Sequence, residues 1–343
     1  FSYRWWLDCM VTVKIDDTII GNGTTYFIAE AGLNHNGDVN IAKKLIDSAF
    51  DCGANAIKFQ TFKTEEFLTE SSPYFNIFKN VELSPKEFGE LQEHAKNVGI
   101  TFFSAPFDIQ SADELKKLNI PCFKIASSDL TNFPLLEHIA KFKIPMIIST
   151  GLANITEIEE AIQICQKNGN NELIILHCVA NYPTQPEESN LLAVKTLQKT
   201  FPYPIGYSDN GEDTLVDLVA TSIGSSVIEK HFTLDKKLDG PDHSFSIDPH
   251  GLKQLISQIR MIEKIKGSGE KIPQVSEQNN INAIRKSIVA KKNLVPGDIL
   301  LLENLSIKRP CVGISPKYMN SVLGKSVKEN IKKDDSLQWD KIE

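Results

Sequence analysis

No C-x-x-C pair occurs among the six cysteines of this 343-residue chain, Cys9, Cys52, Cys122, Cys165, Cys178 and Cys311. That scatter excludes a disulfide framework, and the apolar neighbours of residues such as Cys178 mark buried thiols of a reducing compartment. No apolar run approaches the roughly 18 residues of a spanning helix. The N-terminus also lacks the charged region and apolar core of a secretory signal, so a cytoplasmic protein with no membrane partner is expected. Basic charge is in deficit, with 37 Lys and Arg against 44 Asp and Glu for a formal net charge of -7. Nucleic acid would be repelled at long range, and any anionic substrate needs lysines placed locally. Methionine is missing from position 1, and Met10 is the expected start, which sets Phe1 to Cys9 aside from the fold.

What is present is ordinary for a soluble domain with a sizeable core, 41% hydrophobic and 24% charged residues. From Tyr26 onward short β-branched or apolar runs alternate with segments whose apolar residues fall at helical spacing. The expected strands are Tyr26–Glu30, Asn55–Gln60, Ile100–Ser104, Pro121–Ala126, Pro145–Ser149, Glu172–His177, Tyr203–Ser208 and Ser226–His231. A helical pattern follows each of them. Eight such units in about 250 residues predict an α/β fold, a (β/α)₈ TIM barrel. The expected boundaries are an N-terminal extension over 1–24, a barrel over 25–270, a linker over 271–284 and a small module over 285–343. The module is turn-rich, with runs at Ser287–Ala290, Leu294–Leu301 and Leu305–Lys308, and too short for much stability alone.

Each apolar strand ends in a polar group: Glu30, Lys58 with Gln60, Ser104, Lys124 with Ser127, Ser149 with Thr150, His177, Ser208 with Asp209, and Glu229 with His231. In a barrel those ends meet at one face, where barrel enzymes place their chemistry. Lysines ending two apolar strands need anions nearby, since an unpaired buried ammonium is costly. Either a bound anion or an ion pair with Glu30 or Glu229 answers that need.

The segment from Phe27 to Phe62, FIAEAGLNHNGDVNIAKKLIDSAFDCGANAIKFQTF, resembles the opening of the sialic acid synthase family. So do, in order, FFSAPFD (Phe102 to Asp108), FKIASSDLTNFPLL (Phe123 to Leu136), IISTGL (Ile147 to Leu152), HCVANYPT (His177 to Thr184), IGYSDN (Ile205 to Asn210) and IEKHFT (Ile228 to Thr233). The tail from Arg285, with KRP (Lys308 to Pro310), GISP (Gly313 to Pro316) and LGK (Leu323 to Lys325), resembles the mainly β antifreeze-like (SAF) domain of these synthases.

The resemblance implies a transferase that condenses phosphoenolpyruvate with an N-acyl amino-sugar aldehyde, serving surface polysaccharide. Both N-acetylmannosamine and a 2,4-diacetamido-trideoxyhexose are open as that sugar. It implies that Lys58 and Lys124 bind phosphoenolpyruvate, with hydroxyls from Ser127, Ser149 and Ser208 and backbone N–H groups near Gly151. Glu30 becomes the catalytic carboxylate. Gln60, Asp129, Tyr182 and Asp242 would contact the sugar, with Asp129 standing where the family often has Glu. A divalent cation, Mn²⁺ or Mg²⁺, would be held by His231 and by Asn210, the latter replacing the family's second histidine. An amide oxygen is a weaker, less selective ligand than imidazole. Arg309 would reach the N-acyl group in the neighbouring subunit of a domain-swapped homodimer, with Cys311 replacing a glycine that often follows Arg-Pro. A synthase for another aldehyde, or a sugar-binding barrel that has lost turnover through Asn210, are the alternatives.

Overall fold

The computed structural model describes residues 11–343; the stretch before Val11, with the expected start at Met10, lies outside the described residues. The chain divides into two compact units, the first ending at Gly267 and the second being Ser268–Glu343. The first unit opens with an antiparallel hairpin, β1 (Val13–Ile15) and β2 (Thr18–Ile20). Eight parallel strands then close a barrel: β3 (Tyr26–Gly32), β4 (Ala56–Thr61), β5 (Thr101–Pro106), β6 (Phe123–Ile125), β7 (Met146–Ser149), β8 (Leu173–Cys178), β9 (Ile205–Asp209) and β10 (Val227–His231), which pairs back to β3. All eight expected strands are therefore present, within a few residues of their expected ends.

The outer layer is α1 (Val39–Asp51), α4 (Pro85–Val98), α5 (Ile109–Lys117), α6 (Phe133–Ala140), α7 (Ile155–Lys167), α8 (Leu192–Thr200), α9 (Thr214–Ser222) and α10 (Pro249–Lys266), with two shorter helices, α2 (Thr64–Phe67) and α3 (Phe75–Val81), ahead of α4. Helix starts are written locally. Ser84 and Glu87 form a reciprocal capping box at α4, with Pro85 in the first turn, and Asn154 and Glu157 do the same at α7. Such a cap stabilises by about 1 kcal/mol. Along α1, Ala42, Leu45, Ile46 and Ala49 are buried, the spacing of one helical face turned to the barrel.

Three elements were not expected. Residues 11–24 are no free extension: Val13, Ile15 and Ile20 belong to the barrel core, and Asp16 accepts a 2.7 Å bond from Thr101 Oγ1 at the start of β5. The hairpin thus closes the N-terminal end of the barrel. At the other end, α2 and α3 carry Phe67 and Phe78 into a cluster with Phe62 and Phe107.

In the second unit β11 (Ser287–Ala290) pairs antiparallel with β12 (Leu305–Lys308). The run expected over Leu294–Leu301 is not a strand; it contributes single bridges, Leu294 to Ile331 and Ile299 to Ser326. Despite its length, the unit has an apolar core of its own around Ile288, Leu300, Val322 and Leu337. Among the described residues no helix is long and apolar enough to cross a membrane, and the five cysteines there are free thiols.

Candidate active site

Side chains along a parallel barrel strand alternate between the lumen and the helical layer. At the C-terminal ends that alternation turns Glu30 of β3, Lys58 and Gln60 of β4, Lys124 of β6, Ser149 of β7, Cys178 of β8, Ser208 of β9, and Glu229 and His231 of β10 inward. With Ser127, Tyr182, Asn210 and Asp242 from the loops beyond, they line a cavity of about 420 Å³. Its floor is charged. Lys58 Nζ lies 2.9 Å from Glu229 Oε1 and 3.4 Å from Glu30 Oε2. Lys124 Nζ lies 3.5 Å from the same Glu229 oxygen and donates to Ser149 Oγ at 2.7 Å. Ser208 Oγ donates to Glu229 Oε1 at 3.0 Å, and Gln60 Nε2 to Glu30 Oε1 at 3.2 Å. The bound-anion and ion-pair answers to the buried lysines are thus compatible, because the ion pairs border an open cavity.

Burial and pairing set the charges unequally. Burial favours the neutral form of Glu229, but Lys124 and Lys58 outweigh it and hold the carboxyl down at about 2. Glu30 is raised, because burial outweighs the attraction of Lys58 and neighbouring Glu229 adds to it. Lys58 is raised, burial being overcome by Glu229 and Glu30, whereas Lys124 is lowered by burial that Glu229 only partly offsets. One lysine–glutamate pair is therefore firmly charged. Of the other members, Glu30 holds its proton more tightly and Lys124 less tightly than its ordinary counterpart. Glu30 Oε2 and Glu229 Oε2 are buried with no hydrogen-bond partner, so the floor has acceptor capacity that the protein itself leaves unfilled.

Two glycines make the space. A Cβ on Gly151 would stand 2.8 Å from Ser127 Oγ and 3.0 Å from Cys178 Sγ. Only glycine brings its N–H close enough to donate to Ser127 Oγ at 3.0 Å. Gly32, at φ +50°, pairs with Phe59 just after a register shift between β3 and β4, and a Cβ there would lie 3.0 Å from Asp242 Oδ2, 3.4 Å from Glu30 Oε1 and 3.6 Å from His231 Nδ1.

His231 Nδ1 is buried without a hydrogen-bond partner, 3.7 Å from Asp242 Oδ2. Asn210 spends its amide nitrogen on Val179 O at 2.7 Å, which leaves its side-chain oxygen as the atom that could ligate an ion. Among the described residues no three His, Cys, Asp or Glu side chains could hold a metal ion unaided. The donors that do meet here, an imidazole nitrogen and an amide oxygen, suit a hard divalent ion that completes its shell with water and substrate oxygens.

Of the residues singled out in the sequence, Asp129 stands apart: it is buried, accepts from Asn132 Nδ2 at 2.9 Å, is raised by burial, and is not among the cavity-lining groups. Arg309 is an exposed residue of the second unit, just after β12. Ser104 and His177 turn away from the cavity, to Thr61 Oγ1 and Ser189 O. Sequence reasoning brings Glu229 to this face and offers it as an ion-pair partner but gives it no role in the site, and it misses the apolar wall of Leu33, Phe78, Ala105 and Phe107.

A closed barrel with convergent lysines, carboxylates and an imidazole at its C-terminal mouth defines a barrel enzyme for a small anionic substrate. Residues 45–271 match the profile of the NeuB family, and residues 285–343 that of the SAF domain. The chain belongs to the NeuB family. It is 44% identical to N,N'-diacetyllegionaminic acid synthase of Campylobacter jejuni, covering 92% of this chain and 99% of that protein. It is 40% identical to the Legionella pneumophila enzyme of the same name, covering 93% and 95%. The crystal structure of an N-acetylneuraminic acid synthetase from Leptospira borgpetersenii in complex with citrate superposes with a TM-score of 0.76 at 40% identity, covering 79% of this chain and 95% of that one.

Proposed function

We propose that the chain is a transferase joining phosphoenolpyruvate to an N-acyl amino-sugar aldehyde, with addition of water and release of phosphate, to give a nonulosonic acid. The observation that carries the reading is the convergence of Lys58 and Lys124 with Ser127, Ser149 and Ser208 on one buried cavity. The phosphate and carboxylate of phosphoenolpyruvate call for cations and hydroxyls fixed before binding, in a site where water is excluded and attraction is strong.

In the reaction, enol C3 forms a bond to the aldehyde carbon, and the aldehyde oxygen takes a proton to become a hydroxyl. Water adds its oxygen to C2, and the tetrahedral centre collapses to a ketone as phosphate leaves. Glu30, which holds a proton more tightly than an ordinary glutamate, gives or takes one of these protons. Glu229 stays anionic and keeps both ammonium groups oriented. His231 and Asn210 would hold a divalent cation, Mn²⁺ or Mg²⁺, with Asp242 beside His231, and such an ion would supply Lewis acidity to the aldehyde oxygen.

For the sugar, the favoured reading is a 2,4-diacetamido-trideoxyhexose over N-acetylmannosamine. Leu33, Phe78 and Phe107 give the upper cavity an apolar wall suited to deoxy carbon and acetyl methyl groups. No lysine or arginine besides Lys58 and Lys124 lines it among the described residues, which counts against a phosphorylated sugar. The names of the two bacterial relatives agree with that preference. The test is phosphate release from phosphoenolpyruvate with Mn²⁺ or Mg²⁺ across a panel of N-acyl hexosamines. Release with the diacetamido sugar and little with N-acetylmannosamine is expected, and no release with any sugar would leave the sugar-binding alternative.

A further inference from the structure

Behind the cavity wall, β10 carries a third buried lysine that the proposed chemistry does not use. Lys230 lies between Glu229 and His231, so its side chain leaves the lumen and enters the layer beneath α9. Its Nζ pairs with the Asp209 carboxylate, donates to Gly211 O at 2.9 Å and lies 3.2 Å from Asp217 Oδ2 on α9. All three charged side chains are buried, at 1%, 1% and 0% exposure for Lys230, Asp209 and Asp217.

Two of these anchors flank Asn210. Asp209 Oδ1 also accepts from Gly211 N at 2.9 Å, so the backbone on both sides of Asn210 is tied to one carboxylate and one ammonium. Asn210 O accepts from Thr184 N at 3.1 Å, and its side chain donates to Val179 O. The loop from Val179 to Thr184 carries Tyr182, whose ring meets that of His231 edge-on at 5.8 Å. Hydrogen bonds thus tie Lys230 to Gly211, next to Asn210, and Asn210 to Val179 and Thr184, which bracket Tyr182. Burying one ammonium with two carboxylates is a poor way to gain stability, and a well-packed apolar trio serves that end at least as well. What the trio provides that apolar residues would not is a fixed position for the loop on either side of Asn210.

We propose that Lys230 is a positioning residue, which sets Asn210 and Tyr182 for the aldehyde substrate and its cation, and that Asp217 in turn holds Lys230. The proposal rests on the reading of Asn210 as a cation ligand. It separates the two substrates in degree: Lys58, Lys124 and Ser149 sit on β4, β6 and β7, and of the groups around phosphoenolpyruvate only Ser208 and Glu229 share strands with the trio, whereas the backbone that Lys230 holds belongs to the loop of Asn210.

The experiment is Mn²⁺ titration of the metal-free full-length protein, followed by electron paramagnetic resonance, together with KM for each substrate. In Lys230→Met, Mn²⁺ affinity is expected to fall, and the KM for the sugar to rise, by about 10- to 100-fold, the usual cost of losing a group that orients a metal ligand. The KM for phosphoenolpyruvate should change by less than about threefold, and Asp217→Asn should show the same split, more weakly. A folded Lys230→Met with unchanged Mn²⁺ affinity and sugar KM, or with both KM values raised equally, would overturn the proposal. Should that variant fail to fold, Asp217→Asn decides: no split in KM sinks the clamp. A wild-type protein that neither binds Mn²⁺ nor releases phosphate instead sinks the reading of the site on which it rests.

Discussion

Glu229 and Lys230 are neighbours on β10 and serve opposite sides of one wall. Inward, Glu229 joins Lys58, Lys124 and Glu30 around a cavity, with carboxylate oxygens left unbonded. Outward, Lys230 joins Asp209 and Asp217 in a layer filled by α9. The outer trio has one cation for two carboxyls. Burial drives Asp217 well above the usual carboxylate range and Lys230 pulls it back only in part, so Asp217 holds a proton more tightly than an ordinary aspartate. The inner cluster keeps Glu229 and Lys58 charged. The same residue types are thus a structural brace where the space is filled and a binding floor where it is open.

The largest effect should come from emptying the floor. Lys58→Met leaves Glu30 and Glu229 facing each other without their common cation, and kcat/KM for phosphoenolpyruvate should fall by about 10³-fold. Steady-state kinetics set beside Lys230→Met would break the comparison if the two variants lost phosphoenolpyruvate affinity equally. Next in size is a gain. Asn210→His replaces an amide oxygen with an imidazole at the rim between the clusters, and Mn²⁺ should bind about 10- to 100-fold more tightly by titration. An unchanged affinity would mean that position 210 does not face the ion.

Much of the inner cluster is legible in the sequence, because period-two alternation along apolar strands delivers terminal polar residues to one face. That is how Glu30, Lys58, Lys124, Ser149, Ser208 and His231 come together. The outer trio was overlooked for the complementary reason. Within Val227–His231 the reading by strand ends takes in Glu229 and His231 and passes over Lys230, which, between two inward neighbours, must point out. The signal was available: an outward lysine in a buried strand needs a carboxylate, and Asp217 is the one charged residue on the buried face of Thr214–Ser222. Glu229 is legible as a strand-end group and as an ion-pair partner, but its simultaneous contact with Lys58 and Lys124 is not, since it joins strands far apart in sequence. The hairpin of residues 13–20 and helices α2 and α3 are too short for periodicity to reveal, and long-range packing alone fixes them. The division after Gly267 falls where the Gly and Ser that follow α10 end the helix.

A smaller effect is expected from pH. Burial lowers the pKa of Lys124, so its proton is lost, as pH rises, before that of an ordinary lysine. Its attraction for phosphoenolpyruvate is full below that pKa and declines above it. The kcat/KM profile for phosphoenolpyruvate, which reports the free enzyme, should therefore bend down on its alkaline side below the usual lysine range, losing about tenfold per pH unit. In Lys124→Arg, whose side chain does not titrate there, the bend should vanish whatever the height of the profile. Persistence of the same bend would assign it to another group and leave Lys124 as inert as the outer lysine.

The smallest change concerns one methyl group. Gly151→Ala places a Cβ 2.8 Å from Ser127 Oγ, 3.0 Å from Cys178 Sγ and 3.1 Å from Ala180 Cβ. Neighbours on three sides prevent relaxation in any one direction, and the Ser127 hydroxyl, held by the Gly151 N–H, is the group free to rotate away. One charge-assisted hydrogen bond to the substrate would be lost, so the KM for phosphoenolpyruvate should rise about tenfold. Mn²⁺ affinity should stay within about threefold, because Gly151 lies among the inner cluster's hydroxyls and has no contact with the Lys230 trio. A drop in Mn²⁺ affinity of the same size as the rise in KM would show that the two sides of the wall are coupled, and the division between binding floor and brace would have to be given up.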